Sequence, residues 1–331
     1  MPRRTVRTDR RGITNSKWRG GADMGFGGYS YDAHAKITLS RSTLTKEQVF
    51  TAKTVHPLMT PFGVRARESR DSPTHPKSLG IVFALDVTGS MGDIPDVLAR
   101  RELPLFMKTL GELGVADPQV LFMFVGDATC DHGPLQVGQF ESSEKEMDQW
   151  LTWSWLEGGG GGQEKESYEV AMYFAARHTD MDCYRKRKKR GYFFMTGDEC
   201  PYPAAPRSII RSLIGDDVPQ DVSTPQVIDE LGRTFEPFFL IPDQGRRDKC
   251  ERVWRDLMGD RVIAMDAPGD TCHVAGGLVG LTEGVIGNLD VLAKQLSASG
   301  VPNPRIGAVI RALTPYAATL DRDGTPAPNL R

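Results

Sequence analysis

Between Leu79 and Ser299, short and wholly apolar runs alternate with stretches whose apolar residues recur at helical spacing. Such alternation restricts a chain to an α/β fold, a mostly parallel, doubly wound sheet with helices on both faces. Strands are expected at Ile81 to Leu85, Val120 to Val125, Tyr192 to Met195, Phe235 to Ile241 and Val262 to Met265. A Gly133-Pro134 turn announces a short antiparallel edge strand at Gln136 to Phe140. Pro95 suits the first turn of a helix that is bent at Pro104 and ends by Gly111 to Gly114. Further helices are expected at Glu144 to Trp155, Glu164 to His178, Thr224 to Leu231, Arg246 to Met258 and Ala275 to Ser299.

The flanks lack this regularity. Residues 1–77 read as an irregular arm, basic at Arg3, Arg4, Arg7, Arg10 and Arg11, with a strand expected at Ala35 to Leu39 and a short helix at Thr45 to Ala52. Residues 78–299 form the α/β domain. Residues 300–331 read as a proline-containing tail with one short helix near Ile306 to Leu313.

A chain of 331 residues suits one main domain with appendages, and a net charge of −2 proposes no nucleic-acid or anionic-membrane partner. No apolar stretch reaches the roughly 18 residues needed to span a bilayer, and no apolar segment follows the basic N-terminus. A cytoplasmic protein is expected. Cys130, Cys183, Cys200, Cys250 and Cys272 form no Cys-x-x-Cys pair, so reduced structural thiols are expected rather than a zinc site.

Ligands of open α/β sheets bind outside the carboxyl ends of strands where the strand order reverses. The run Ile81 to Leu85 ends in Asp86-Val-Thr88-Gly-Ser90, one carboxylate and two hydroxyls in a tight turn. Oxygen donors of this kind suit a hard cation such as Mg²⁺, or Mn²⁺ or Ca²⁺. Asp198 follows the apolar run Tyr192 to Met195 at a second strand end, where adjacent strands would bring both carboxylates to one ion.

Asp86-Val-Thr88-Gly-Ser90-Met-Gly resembles the Asp-x-Ser/Thr-x-Ser motif of the von Willebrand factor A (VWA) domain family, over about residues 79–299. The resemblance implies a Rossmann-like VWA fold and a metal-ion-dependent adhesion site (MIDAS), with Thr196-Gly-Asp198 supplying its second aspartate. It also implies a loop threonine, and here the chain departs from the pattern. Gly158 to Gly162 are followed by Gln163 and Glu164, so Glu164, the Gln163 amide, a glycine carbonyl, water or Asp127 is left to complete the shell. An ion held by two carboxylates and neutral hydroxyls keeps enough charge to accept an Asp or Glu from a protein partner. The resemblance further implies an adaptor or assembly subunit, with an AAA+ ATPase of the MoxR class or other subunits as partners. Tyr202, in the stiff loop after Asp198, is a candidate anchor for such a partner.

Other readings use the same residues. Asp86 and Thr88 alone suit a strand-end turn bonded to backbone amides. Asp-x-Thr-Gly at a strand end also resembles the phosphorylated turn of haloacid-dehalogenase-like phosphotransferases, with Asp86 as nucleophile, although no second acid stands at residue 88. A structural subunit, held by its termini and carrying an incidental ion site, is the third reading. Arg185-Lys-Arg-Lys-Lys-Arg190 reads as a solvated loop on the face opposite the ion. Trp150, Trp153 and Trp155 read as packing residues, with Leu151 and Trp155 on the buried side.

Overall fold

The computed structural model describes residues 28–320 apart from 90, 92, 116, 159–163 and 243. Its centre is a six-stranded sheet built from β1 (Leu79–Asp86), β2 (Pro118–Val125), β3 (Leu135–Val137), β4 (Gly191–Thr196), β5 (Phe235–Ile241) and β6 (Val262–Ala264). The order across the sheet is β6-β5-β4-β1-β2-β3, and only β3 runs antiparallel. From β1 the chain steps to β2 on one side and later to β4 on the other. The strand order therefore reverses at β1 and β4.

Around the sheet stand α1 (Tyr31–Leu39), α2 (Leu103–Glu112), α3 (Glu144–Thr152), α4 (Tyr168–Arg177), α5 (Thr224–Leu231), α6 (Arg247–Met258), α7 (Thr271–Thr282), α8 (Leu289–Ala298) and α9 (Asn303–Ala317). Side chains of successive strand residues point to opposite faces, and β5 shows how the helices divide. Phe238 meets Tyr316 of α9 edge to face, whereas its neighbour Phe239 stacks on Trp254 of α6 and meets Tyr168 of α4. Phe83, Phe194 and Phe238 share one register row on the α9 side, and Phe83 also packs against Phe106 of α2. Asp86 lies three residues beyond Phe83, which turns its side chain to the face of α4 and α6.

Several elements depart from the pattern expected of them. Ala35 to Leu39 is helical, not a strand: Ser30 caps α1 through the Ala33 amide, and His34 and Thr38, four residues apart, are its buried positions. The stretch from Ala275 to Ser299 is two helices, α7 and α8, broken at Gly284 with φ +69° and restarted by the Asn288 cap. The helix expected from Glu164 begins at Tyr168, because Lys165–Glu166 pairs in parallel with Cys200–Pro201. Ahead of α2, Leu98–Glu102 forms a π-helical turn. Pro104 has no N–H for the Arg100 carbonyl, and a local widening accommodates that missing bond.

The flanking segments pack onto this frame. Tyr29 donates to the Pro104 carbonyl at 3.2 Å, Arg41 pairs with Asp148 of α3, and Arg67–Ser69 lies parallel to Thr179–Met181. In α9, Ile306, Val309, Leu313 and Tyr316 are buried. The basic run 185–190 is engaged rather than merely solvated: Lys186 and Arg187 both meet Asp71, Arg185 meets Asp180 and Asp182, Lys189 meets Glu283 and Arg190 meets Glu236. Of the tryptophan group, Leu151 is buried, but Trp155 lies beyond α3 and is only half-buried. None of the five cysteines is in a disulfide, and no helix among the described residues is long and apolar enough to cross a membrane.

Candidate functional site

The carboxyl ends of β1 and β4 are in register through Leu85 and Thr196, which places Asp86 and the Gly197-Asp198 turn side by side at the reversal of strand order. Asp86 is completely buried, Asp198 is 1% exposed and Thr88 is 5% exposed. Buried carboxylates need donors or a cation. Asp86 Oδ1 accepts the Thr88 N–H at 2.9 Å and the Thr88 hydroxyl at 2.6 Å. Its other oxygen, Oδ2, accepts the Tyr168 hydroxyl at 2.6 Å. The backbone-amide turn is thus real, and it leaves Thr88 Oγ1 with lone pairs to spare and Oδ2 with one.

Electrostatics at this point oppose negative charge. Burial, aided by Asp198, pushes the Asp86 carboxyl from its ordinary 3.8 up to about 7, against the pull of the Thr88 and Tyr168 donors. Burial raises the Tyr168 phenol well above its ordinary range, with Asp86, Asp198 and Glu166 reinforcing the effect. Glu166 is pushed up to about 9 by burial and then by Asp86, Asp127, Asp131 and Glu199. A divalent cation would relieve all of these groups together.

Glu166 stands out among them. It is 4% exposed, and its Oε2 is buried without a hydrogen-bond partner. Glu164, the acid expected to complete the shell, is exposed and contributes only its carbonyl, to the Cys200 N–H at 3.4 Å. Glu166 lies within the short pairing of Lys165–Glu166 with Cys200–Pro201 and is buried there, whereas Glu164 precedes that pairing and is exposed.

Asp127, at the end of β2, is committed elsewhere. It accepts the Thr129 amide and hydroxyl at 2.9 and 2.8 Å and the Tyr202 hydroxyl at 3.0 Å. Tyr202 also donates its backbone N–H to Glu169 Oε2 at 3.2 Å, so both its backbone and its hydroxyl are held, and the residue is half-buried. Ser90 lies outside the described residues.

The donors present fit a hard cation. All are oxygens, one is an orphaned buried carboxylate oxygen, and two hydroxyls have already directed their protons at Asp86. Among the described residues no group of three or more His, Cys, Asp or Glu side chains could hold a metal ion by itself. Thr88 was legible for this role in the sequence, whereas Tyr168 and Glu166 were not. Tyr168 opens an apolar helix and so reads as core, and Glu166 shares its short segment with an equally acidic Glu164.

No family model matches the chain, and no curated protein matches it in sequence. Among solved structures, the chain is similar to proximal thread matrix protein 1 from the mussel byssus, at 8% identity and a TM-score of 0.41 over 68% of this chain and 51% of that one. A form of that matrix protein with a zinc-occupied MIDAS motif aligns at 10% identity and a TM-score of 0.39, over the same shares of the two chains. The pilus adhesin SpaC from Lactobacillus rhamnosus GG, in its open conformation, aligns at 9% identity and a TM-score of 0.42, over 68% of this chain and 31% of that one. The chain thus spans about half or less of the length of these neighbours.

Proposed function

We propose that the protein is a non-catalytic interaction module of the VWA type, in which a divalent cation at Asp86, Thr88, Ser90 and Asp198 accepts an Asp or Glu side chain from a protein partner. One observation carries this reading. Asp86 is buried beside Asp198 at the reversal of strand order, with the Thr88 hydroxyl proton turned toward it and the Thr88 lone pairs free. Mg²⁺ supplies the positive charge that this arrangement lacks, and Mn²⁺ or Ca²⁺ suits the same donors. Two ionised aspartates then balance the ion, and a partner's carboxylate adds a favourable charge-assisted bond. Glu166, rather than Glu164, is the buried acid whose charge acts on Asp86 and Tyr168. Following the family resemblance, the partner is another subunit of an assembly or an AAA+ ATPase of the MoxR class, and Tyr202 lies at the rim where it would dock.

A phosphotransferase role for Asp86 is disfavoured by the hydrogen bonds. Both of its oxygens already accept hydroxyl protons, and no part of the side chain is exposed to an incoming phosphate. The test is metal-dependent capture. Immobilised wild-type protein retains an acidic-peptide partner in Mg²⁺ and releases it in EDTA, and Asp86→Ala retains none. Equal retention by both proteins in both buffers overturns the reading.

A further inference from the structure

The glycine loop offers no hydroxyl where the resemblance places a threonine, but the structure brings one in from the helix that follows. Tyr168 is fully buried in the first turn of α4, and its hydroxyl donates to Asp86 Oδ2 at 2.6 Å. Thr88 makes the equivalent bond to Oδ1 at 2.6 Å. Two hydroxyls thus direct their protons onto one carboxylate, and each keeps its lone pairs for another acceptor of electron density.

Gly197 fixes where those lone pairs lie. A Cβ at Gly197 would stand 2.5 Å from the Tyr168 oxygen and 2.8 Å from the Phe239 ring. The phenol oxygen therefore occupies the space between Asp86 and the Gly197-Asp198 turn, and glycine is required there by this close approach. Glu166 Oε2 is buried without a partner, and the Glu166 carboxylate lies near enough to raise the Tyr168 phenol. The ring itself is clamped edge to face by Phe239 and Trp254, so the hydroxyl has little freedom to leave.

We infer that Tyr168 supplies the third hydroxyl of the candidate cation site, its oxygen facing the ion and its proton held by Asp86. This deepens the metal-dependent reading above and rests on it. The inference assigns to α4 what a loop residue would otherwise provide. It also accounts for a run from Gly158 to Glu164 that carries no hydroxyl of its own.

Calorimetric titration of the full chain with Mg²⁺ and Mn²⁺ tests the assignment, using wild type, Asp86→Ala and Tyr168→Phe. Phenylalanine keeps the ring contacts and removes only the hydroxyl. Loss of one such partner typically costs about 10- to 100-fold in metal affinity, and Tyr168→Phe is expected to fall in that range while its EDTA-state circular dichroism remains that of wild type. Wild-type affinity in Tyr168→Phe overturns the inference and leaves the cation site standing. No heat of binding from wild type itself overturns the site and the inference together. Should Tyr168→Phe fail to fold, the near-ultraviolet difference spectrum of a Tyr202→Phe chain on adding Mg²⁺ decides the matter. A tyrosine band that shifts in that chain, and not when Asp86→Ala is added to it, supports the assignment, and an unshifted band refutes it.

Discussion

Tyr168 and Asp86, 82 residues apart in the chain, share a 2.6 Å hydrogen bond in a part of the molecule where neither is exposed to solvent. That bond joins the start of α4 to the end of β1. It sets the orientation of the carboxylate on which the candidate site depends.

Divalent cation is expected to raise the thermal midpoint. A ligand at a hundredfold excess over its Kd adds about 2.7 kcal/mol of stability, a shift of roughly 5 °C for a domain of this size. Differential scanning fluorimetry in Mg²⁺ against EDTA should show that rise in wild type and none in Asp198→Ala.

Glu166 and Glu164 should separate cleanly. Glu166, pushed up to about 9 by burial, is already neutral in the metal-free protein near pH 7, so Glu166→Gln is expected to keep its stability in EDTA near that of wild type while its Mn²⁺ affinity falls. Glu164→Ala changes an exposed side chain and should move neither quantity by more than about 0.5 kcal/mol. Urea melts and Mn²⁺ titrations of the two variants provide the comparison, and equal Mn²⁺ affinities would contradict a contribution of Glu166 to the site.

The pH dependence has a definite sign. Asp86 at about 7, Glu169 at about 8 and Glu166 at about 9 all lie above their ordinary values of 3.8, 4.5 and 4.5. Groups raised in this way favour the folded state below the unfolded-chain values, and that contribution is lost as pH rises through the folded ones. Ion-paired Asp71, Asp180 and Asp182 are held low by Arg and Lys partners and lose their contribution as the solution becomes strongly acidic. Stability in EDTA should therefore peak at mildly acidic pH and decline toward about pH 9, and Mg²⁺ should move the optimum toward neutrality. Urea midpoints across this range measure it, and an EDTA curve that climbs from pH 5 to 9 would count against the buried acids.

Gly197→Ala forces a methyl group to within 2.5 Å of the Tyr168 oxygen and 2.8 Å of Phe239. Overpacking of this kind costs about 1–3 kcal/mol. The variant should lose cation affinity along with Tyr168→Phe, and a double variant in which the hydroxyl is also removed should recover little stability, because the added Cβ still stands 2.6 Å from the ring carbon Cζ. Chemical denaturation of the three proteins reads the coupling.

The Arg41–Asp148 pair ties α1 and its neighbouring turn to α3, with side chains only 15% and 9% exposed. Removing one partner of a nearly buried pair costs about 3 kcal/mol, and removing both costs less than the sum. A double-mutant cycle on Asp148→Ala and Arg41→Met should show that coupling.

The strands and their parallel arrangement were legible because buried β-strands are continuous apolar runs, and β1, β2, β4 and β5 are such runs. Ala35 to Leu39 was misleading for a physical reason. Its apolar and polar residues alternate and include Ile37 and Thr38, which suit a strand, while the deciding signal was the cap at Ser30 outside that window. Asp86, Thr88 and Asp198 were visible as polar residues that end apolar strands. Tyr168 was not visible, since its function depends on a single hydroxyl meeting a residue far away in sequence, and its ring otherwise satisfies every requirement of a core position. The buried acid was ambiguous between Glu164 and Glu166 because residues two apart share a face of a strand, and only where the pairing with Cys200–Pro201 begins, at Lys165, separates them.

The two outermost strands, β3 and β6, are each three residues long, whereas the inner four run for six to eight. Along β3 the margin is also shielded, since Gln136 exchanges hydrogen bonds with the Trp155 backbone and Arg67 binds the Val137 carbonyl. Backbone templating of a foreign strand needs a long, bare ladder, and this sheet ends without one. Runaway edge-to-edge stacking through this sheet is therefore disfavoured from the outset.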